Sequence, residues 1–242
     1  MFTSLKDKVT VVIPCYNEEN YIGDTLLSLY SQNGCKGINV IVADGGSTDG
    51  TIEVIKYHSK TMSPVLKIKL VKGGKVAYGR NKGSHLVNTK YILFLDADSK
   101  LIEKDNIKYN VEKMERDNLD LLTCRIKDTS GGIKAKIVFS LFNVVNKVLS
   151  LKTPFAVGGY FMTRADRFRS YGLFNEEVTN SEDFLLSKRY SRDKFHISKK
   201  RYGQDNRRFK KMGYLNMIKI LISNFINRNN IEYFKKDIGY WE

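Results

Sequence analysis

The chain has 242 residues, with 41 Lys+Arg against 26 Asp+Glu, a formal charge of +15 and a pI near 9.6. Hydrophobic residues make up 42% and aromatics 12%, enough apolar material for one substantial domain, which excludes a disordered polybasic chain. Cys15, Cys35 and Cys124 are too few, and too far apart, for a disulfide framework or a CxxC site, so a reduced, cytoplasmic-side protein is expected.

The first 125 residues alternate short β-branched runs with helical patterns, as successive βα units do. Strands are expected at Val9 to Pro14, Ile38 to Asp44, Val65 to Val71, Tyr91 to Asp96 and Leu119 to Arg125; the third alternates in polarity and reads as an edge strand. Helices are expected at Glu19 to Ser31, Thr51 to His58, Val76 to Leu86 and Asp105 to Arg116. Beyond residue 125 come an amphipathic helix (Ile133 to Leu151), a strand-like FAVGGYFMTR (Phe155 to Arg164), a short helix at Asp166 to Tyr171 and a helix at Glu182 to Arg192. A basic region then leads to two apolar-periodic stretches, Leu215 to Phe225 and Ile231 to Phe234.

This order predicts an α/β fold, a mainly parallel central sheet flanked by helices with a helical basic C-terminal extension. Residues 1–198 form the expected domain, divided into a nucleotide-binding half (1–125) and an acceptor half (126–198), and 199–242 form the extension. The N-terminus, Met1 to Lys8, is polar, and no uncharged apolar run approaches the roughly 18 to 20 residues needed to span a bilayer. A soluble or peripheral protein is therefore expected.

Polar loops follow strands one, two and four at their carboxyl ends, the edge where open α/β sheets bind ligands. In DADS, Asp96 and Asp98 flank Ala97 just past the fourth strand, and two such carboxylates can share Mg²⁺ or Mn²⁺, which complete their shells with water and substrate phosphate. An isolated DxD reads more readily as a pair of turn residues, Asp96 capping one turn and Asp98 starting the next. In DGGSTDGT, Asp44 ends a buried strand, two glycines allow a tight turn, and Ser47, Thr48 or Asp49 can cap the next helix. In GGKVAYGRNKG, Arg80 lies on the first turns of a helix, as a phosphate ligand or as an exposed surface residue. SEDF places Glu182 and Asp183 at a helix start, where they serve either as a general base or as ordinary first-turn acids behind an N-capping Ser181.

Together VIPCYNEEN, VADGGSTDGT, GRNKG, LDADS and SEDF resemble the family 2 glycosyltransferases of the GT-A, Rossmann-like fold, in order and approximate spacing from Val9 to Arg192. The resemblance implies an inverting, metal-dependent transfer of a sugar from a nucleotide diphosphate, foremost a UDP-sugar, to a hydroxyl on a glycan, glycolipid or protein. It implies that Pro14, Tyr16, Glu18 and Asp44 hold base and ribose, with Arg80 on the nucleotide side. Asp96, Ala97 and Asp98 match the family's DxD, with Asp98 as the more direct ligand of Mn²⁺ or Mg²⁺ and Asp96 nearer the ribose and phosphates. Asp183 matches the catalytic base, with Glu182 beside it. Gly158 and Gly159 let the backbone approach the sugar or relieve a bulge. His58, His85 and His196 form no metal cluster by spacing and read as surface or packing residues, although His196 lies where a late ligand would reach the metal.

Two departures matter. The commoner family loop has two adjacent aspartates where this chain has Asp44-Gly45, which leaves the nucleobase open. The Q-x-x-R-W signature of processive synthases is missing, which favours single additions. Transfer to a polyprenyl phosphate is the alternative within the fold, and a basic nucleic-acid-binding protein is the alternative outside it; the DxD and the lack of a recognition motif speak against nucleic acid as a partner.

Between Lys188 and Glu242 there are 15 Lys+Arg and 5 Asp+Glu, so most of the basic excess is C-terminal. KKRYGQDNRRFKKMG is expected to close over the donor, with Arg207 and Arg208 on the diphosphate, or, with YLNMIKILISNF beside it, either to seat the protein peripherally on an anionic membrane or to form a helix packed against the core with solvated lysines. A homodimer is compatible with either.

Overall fold

The computed structural model describes residues 4–236; the expectations for Met1 to Thr3 and for residues 237–242 of the extension lie outside them. A 3₁₀ turn at Leu5–Asp7 leads into β1 (Val9–Cys15), whose seven residues are all buried. The chain then alternates through α1 (Ile22–Tyr30), β2 (Ile38–Asp44), α2 (Thr51–Thr61), β3 (Leu66–Lys72), α3 (Val76–Ser84) and β4 (Tyr91–Phe94). All contacts among β1 to β4 are parallel, and β3, with its alternating burial, stands at the sheet edge as its polarity predicts.

The helices follow from periodicity. On α1, Ile22, Leu26 and Leu29 lie along one stripe and are fully buried against the sheet, each contributing about 1.5–3 kcal/mol. Successive residues of β1 face opposite sides, so Val11 and Ile13 join one core while Val12 joins another built around Phe94, Phe161, Phe168 and Phe174.

The second half adds β5 (Lys100–Leu101), α4 (Asn106–Arg116), β6 (Leu121–Asp128), α5 (Ile133–Leu149), β7 (Phe161–Arg164), α6 (Ala165–Ser170) and α7 (Glu182–Ser187). It continues with β8 (Phe195–Gln204), α8 (Arg207–Met212), α9 (Tyr214–Ile226) and α10 (Ile231–Lys235). The strand order is β3-β2-β1-β4-β7-β6-β8-β5. β7 is antiparallel to both β4 and β6, β8 is parallel to β6, and β5 is antiparallel to β8. The sheet is therefore mixed, and the expected parallel arrangement describes β1 to β4 best.

Three sequence expectations change. The basic stretch after Lys194 carries β8, which the charge run concealed because Lys199, Lys200 and Arg201 interrupt the alternation of apolar side chains. A register shift between Cys124 and Arg125 lets Cys124 face Ser198 and Arg125 face Arg201. The boundary at 198/199 falls inside this strand, so residues 199–204 belong to the sheet. FAVGGYFMTR is a strand only from Phe161, because Val157 and Tyr160 bridge to each other and close a turn over Gly158-Gly159. The helix that starts at Glu182 ends at Ser187, and Arg192–Lys194 form a separate 3₁₀ turn.

The C-terminal helices pack onto the domain. Phe209 of α8 meets Phe139 of α5 edge-to-face at 5.4 Å, and the fully buried Phe234 of α10 accepts a hydrogen bond at its carbonyl from the Thr179 amide at 2.8 Å. Among the described residues, no helix is long and apolar enough to cross a membrane.

Candidate active site

Because β2, β1 and β4 are neighbours, their carboxyl-end loops meet. They form one wall of a crevice of about 760 Å³, with Pro14, Tyr16 and Glu18 from the first loop, Gly45 from the second and Asp96, Ala97 and Asp98 from the fourth strand's loop. Glu182 and the α8 residues Arg207, Arg208 and Lys211 line it as well. Tyr16 is 54% exposed and lines this space. The Ala97 carbonyl accepts from Thr25 Oγ at 2.7 Å, which fixes the DADS turn to α1.

Asp44 is turned toward its own loop. Its carboxylate accepts from the Gly46 and Ser47 amides at 2.9 and 3.0 Å and from Ser47 Oγ at 2.5 Å. Side-chain oxygens thus hold the glycine turn, and Asp44 is not among the crevice-lining side chains. Gly45 follows because a Cβ there would sit 2.9 Å from the Gly74 carbonyl oxygen, which leaves no room for the second aspartate of the commoner loop.

Arg80 differs from both of its sequence readings, phosphate ligand and exposed arginine. It is 1% exposed, its Nη2 lies 2.6 Å from Asp96 Oδ1, its Nη1 pairs with Glu182, and the Phe174 ring lies 5.2 Å from its guanidinium carbon. One guanidinium therefore ties the DxD loop to the acidic pair, whose Glu182 lies 102 positions beyond Arg80. Gly158 is explained here too: a Cβ would come within 2.4 Å of Arg80 Nη2. Gly159 likewise leaves space for the Tyr202 ring, whose nearest carbon would lie 2.5 Å from a Cβ added there, so both glycines accommodate protein side chains rather than a bulge.

The acidic pair is divided by its partners. Glu182, 4% exposed, is matched by Arg80, whereas half-buried Asp183 has backbone donors, the Gly158 amide at 2.5 Å and the Phe184 amide at 2.7 Å. Burial, reinforced by the neighbouring Glu182 charge, pushes Asp183 up to about 7, against the pull of Arg80. Glu182 and Asp183 stand in the first turn of α7, and Asp183 accepts from its Phe184 amide, but the expected Ser181 cap is not formed. Ser181 is left-handed at φ 58° and makes no cap bond, its hydroxyl instead meeting Asn180 and Asn224.

Opposite, Arg207 Nη2 pairs with Glu18 and lies 3.0 Å from Asp98 Oδ2, and its guanidinium lies 4.2 Å from the Tyr21 ring centre. Burial pushes Glu18 up to about 7 despite this pairing, and its Oε2 is enclosed without a hydrogen-bond partner. Asp96 and Asp98 face one cavity from either side of Ala97. Among the described residues no group of three His, Cys, Asp or Glu forms an all-protein metal cage, and a two-carboxylate set fits a hard cation that takes its remaining ligands from water and phosphate.

His196 does not fit that site. It pairs with Leu122 near the start of β8, whereas Gln204 at the other end reaches toward Asp98, roughly 26 Å along the strand. Sequence reasoning missed Lys75 at the start of α3, Thr179 and Lys211, all of which line the crevice. The GGK before α3 signalled the first; Thr179 reaches the crevice only through tertiary packing.

Comparison with known proteins places this geometry. The profile described as "Glycosyl transferase family 2" matches residues 10–172. The chain belongs to this family. Across 183 residues this glycosyltransferase family member is 31% identical to the poly(ribitol-phosphate) beta-N-acetylglucosaminyltransferase TarS of Staphylococcus aureus, covering 74% of this chain and 32% of that protein. It is 32% identical over 112 residues to the putative teichuronic acid biosynthesis glycosyltransferase TuaG of Bacillus subtilis, covering 46% of this chain and 44% of that one. The chain thus spans less than half the length of either relative.

Solved structures share its GT-A fold. S. aureus TarS 1–349 in complex with UDP-GlcNAc superposes with a TM-score of 0.65 at 22% identity, over 82% of this chain and 58% of that one. The mannosyltransferase PcManGT from Pyrobaculum calidifontis, in complex with GDP-Man and Mn²⁺, superposes with a TM-score of 0.68 at 20% identity, over 81% and 56%.

Proposed function

We propose that the protein is an inverting glycosyltransferase that moves a sugar from a nucleoside diphosphate, foremost UDP, to a hydroxyl group of a glycan, glycolipid or protein. The observation that carries this reading is the division of the acidic pair: Arg80 matches the crevice-lining Glu182, while Asp183, next in the chain and not itself among the lining residues, keeps a carboxylate raised toward neutrality. Such a group takes a proton from a hydroxyl near neutral pH. An already ionised polyprenyl phosphate needs no such base, which favours the hydroxyl acceptor.

The residues then act as follows. Tyr16 offers its ring to the nucleobase and Pro14 shapes the slot beside it, while the unpartnered Oε2 of Glu18 accepts from a ribose hydroxyl. Asp44 serves indirectly by holding the glycine turn. Asp98 and Asp96 would hold a divalent cation, Mn²⁺ or Mg²⁺, which when bound neutralises charge developing on the departing diphosphate. Arg207 and Arg208 present cationic groups to the same diphosphate. Asp183 accepts the acceptor's proton as its oxygen attacks the anomeric carbon opposite the diphosphate; the sugar–phosphate bond breaks, its electron pair leaves on the diphosphate oxygen, and the configuration inverts.

The test is thermal stabilisation by a panel of nucleotide sugars with Mn²⁺ or Mg²⁺, since a ligand that binds only the native state raises Tm. A metal-dependent rise with a UDP-sugar is expected. A panel that leaves Tm unchanged, in the presence of either metal, would overturn the donor assignment.

A further inference from the structure

α5 is amphipathic with the wrong side out. Ala135, Phe139 and Asn146 turn inward, while Ile133, Ile137, Leu141, Val144, Val148 and Leu151 are 57–75% exposed. At 100° per residue these six fall within an arc of about 80°, one continuous apolar stripe along the helix and just past its end. α9 repeats the arrangement: Met217 is buried, and Leu215, Ile218, Ile222, Phe225 and Ile226 line the outer face. The two helices are joined through α8, whose Phe209 touches Phe139 of α5 at 5.4 Å and Tyr214 of α9 at 5.4 Å.

The charges on the two helices themselves have one sign. Residues 133–152 carry Lys134, Lys136, Lys147 and Lys152 and no Asp or Glu. Residues 212–228 carry Lys219 and Arg228, with Lys210 just before them, again with no acid. Exposed apolar stripes of this extent mark an interaction surface. A second copy of the chain laid on either stripe would bring lysine against lysine. A nucleic acid would satisfy the lysines but not the Ile, Leu and Val between them. An anionic bilayer satisfies both, through phosphate headgroups at the flanks and the acyl boundary beneath the stripes.

We propose that α5 and α9 together seat the protein on an anionic lipid bilayer. α8, which lies between them and contributes Arg207, Arg208 and Lys211 to the crevice, is then held at the headgroup surface beside the mouth of the site. This docking is independent of the donor assignment, because it uses neither the loops after β1, β2 and β4 nor the acidic pair.

Co-sedimentation of the full chain, without donor or metal, tests it with phosphatidylcholine vesicles carrying roughly a third phosphatidylglycerol against phosphatidylcholine alone. Binding to the anionic vesicles only, weakened by added salt, is expected. Ile137→Glu combined with Ile222→Glu should weaken binding by at least about tenfold, and Lys134→Gln with Lys136→Gln and Lys147→Gln should weaken it and flatten its salt dependence. Circular dichroism and Tm should be unchanged in both variants, which separates lost docking from lost folding. Equal partition to both vesicle types, or none to either, overturns the proposal. So does a dimer in light scattering that the Ile137→Glu, Ile222→Glu variant splits into monomers, which would assign the face to a second copy.

Discussion

Arg207 lies 3.0 Å from Asp98 although 109 positions separate them, and the same guanidinium nitrogen also reaches Glu18. Arg207 of α8 therefore reaches the acidic floor of the crevice and pairs with the carboxylate proposed above as a metal ligand. Under the proposed function, a divalent ion that takes Asp98 Oδ2 would displace this hydrogen bond, and the diphosphate would offer Arg207 a replacement partner.

The first prediction concerns this exchange. Charged hydrogen bonds contribute about 1.5–3 kcal/mol, so Arg207→Gln should tighten Mn²⁺ binding in the absence of nucleotide by about tenfold. Binding of the nucleotide diphosphate should weaken at the same time. Titration calorimetry of Mn²⁺ alone, and then of UDP at saturating Mn²⁺, measures both; weaker Mn²⁺ binding in the variant would show that Arg207 does not compete for Asp98.

The second follows from Asp183. The base must be ionised, so transfer at saturating substrates should rise with pH and level off above about 7, where burial and Glu182 place its titration. Asp183→Asn should lower transfer by about 10²–10⁴-fold, keep donor binding and lose the dependence on this ionisation. The stability effect has the opposite sense. The native state holds this proton more tightly than the unfolded chain, whose ordinary value is 3.8, so the group's stabilising contribution is full below that value and declines as pH rises toward about 7. Urea melts of wild type and Asp183→Asn between these limits check the sign.

The third concerns Arg80. Replacing it with Met removes the common partner of Asp96 and Glu182, both of which it holds in a largely buried setting. Unpairing buried charges costs about 3–5 kcal/mol, which for a chain of this size lowers Tm by roughly 10 °C. Arg80→Lys should recover little, since one ammonium cannot reproduce the two-sided geometry. A Tm within a degree or two of wild type would place the structural weight elsewhere.

The fourth uses Gly158, whose backbone is pressed against Arg80 Nη2 and whose amide donates to Asp183. Gly158→Ala forces the guanidinium to shift and disturbs the amide at the same time. The expected result is a fall in transfer of at least about tenfold with a smaller change in donor affinity, because both disturbed groups lie toward the acidic pair. Single-turnover rates and equilibrium donor binding separate the two effects.

The sequence by itself determined the βα series, since continuous apolar runs such as Val9 to Pro14 bury on both faces of a parallel sheet, and periodic stripes such as Ile22, Leu26 and Leu29 bury on one face of a helix. It also determined that the loops after β1, β2 and β4 would meet, because three neighbouring parallel strands put their carboxyl ends on one edge. What the tertiary structure decided was how each charge is used. β8 could not be read through Lys199, Lys200 and Arg201, because an edge-side strand is stabilised by ladder bonds to β6 that leave no apolar period in the sequence. Arg80, Glu182 and Asp183 carry the same formal charges in any arrangement. Only burial and long-range packing divide them, into a guanidinium that fastens two loops, a carboxylate it matches, and a carboxylate left with backbone amides and a raised affinity for its proton.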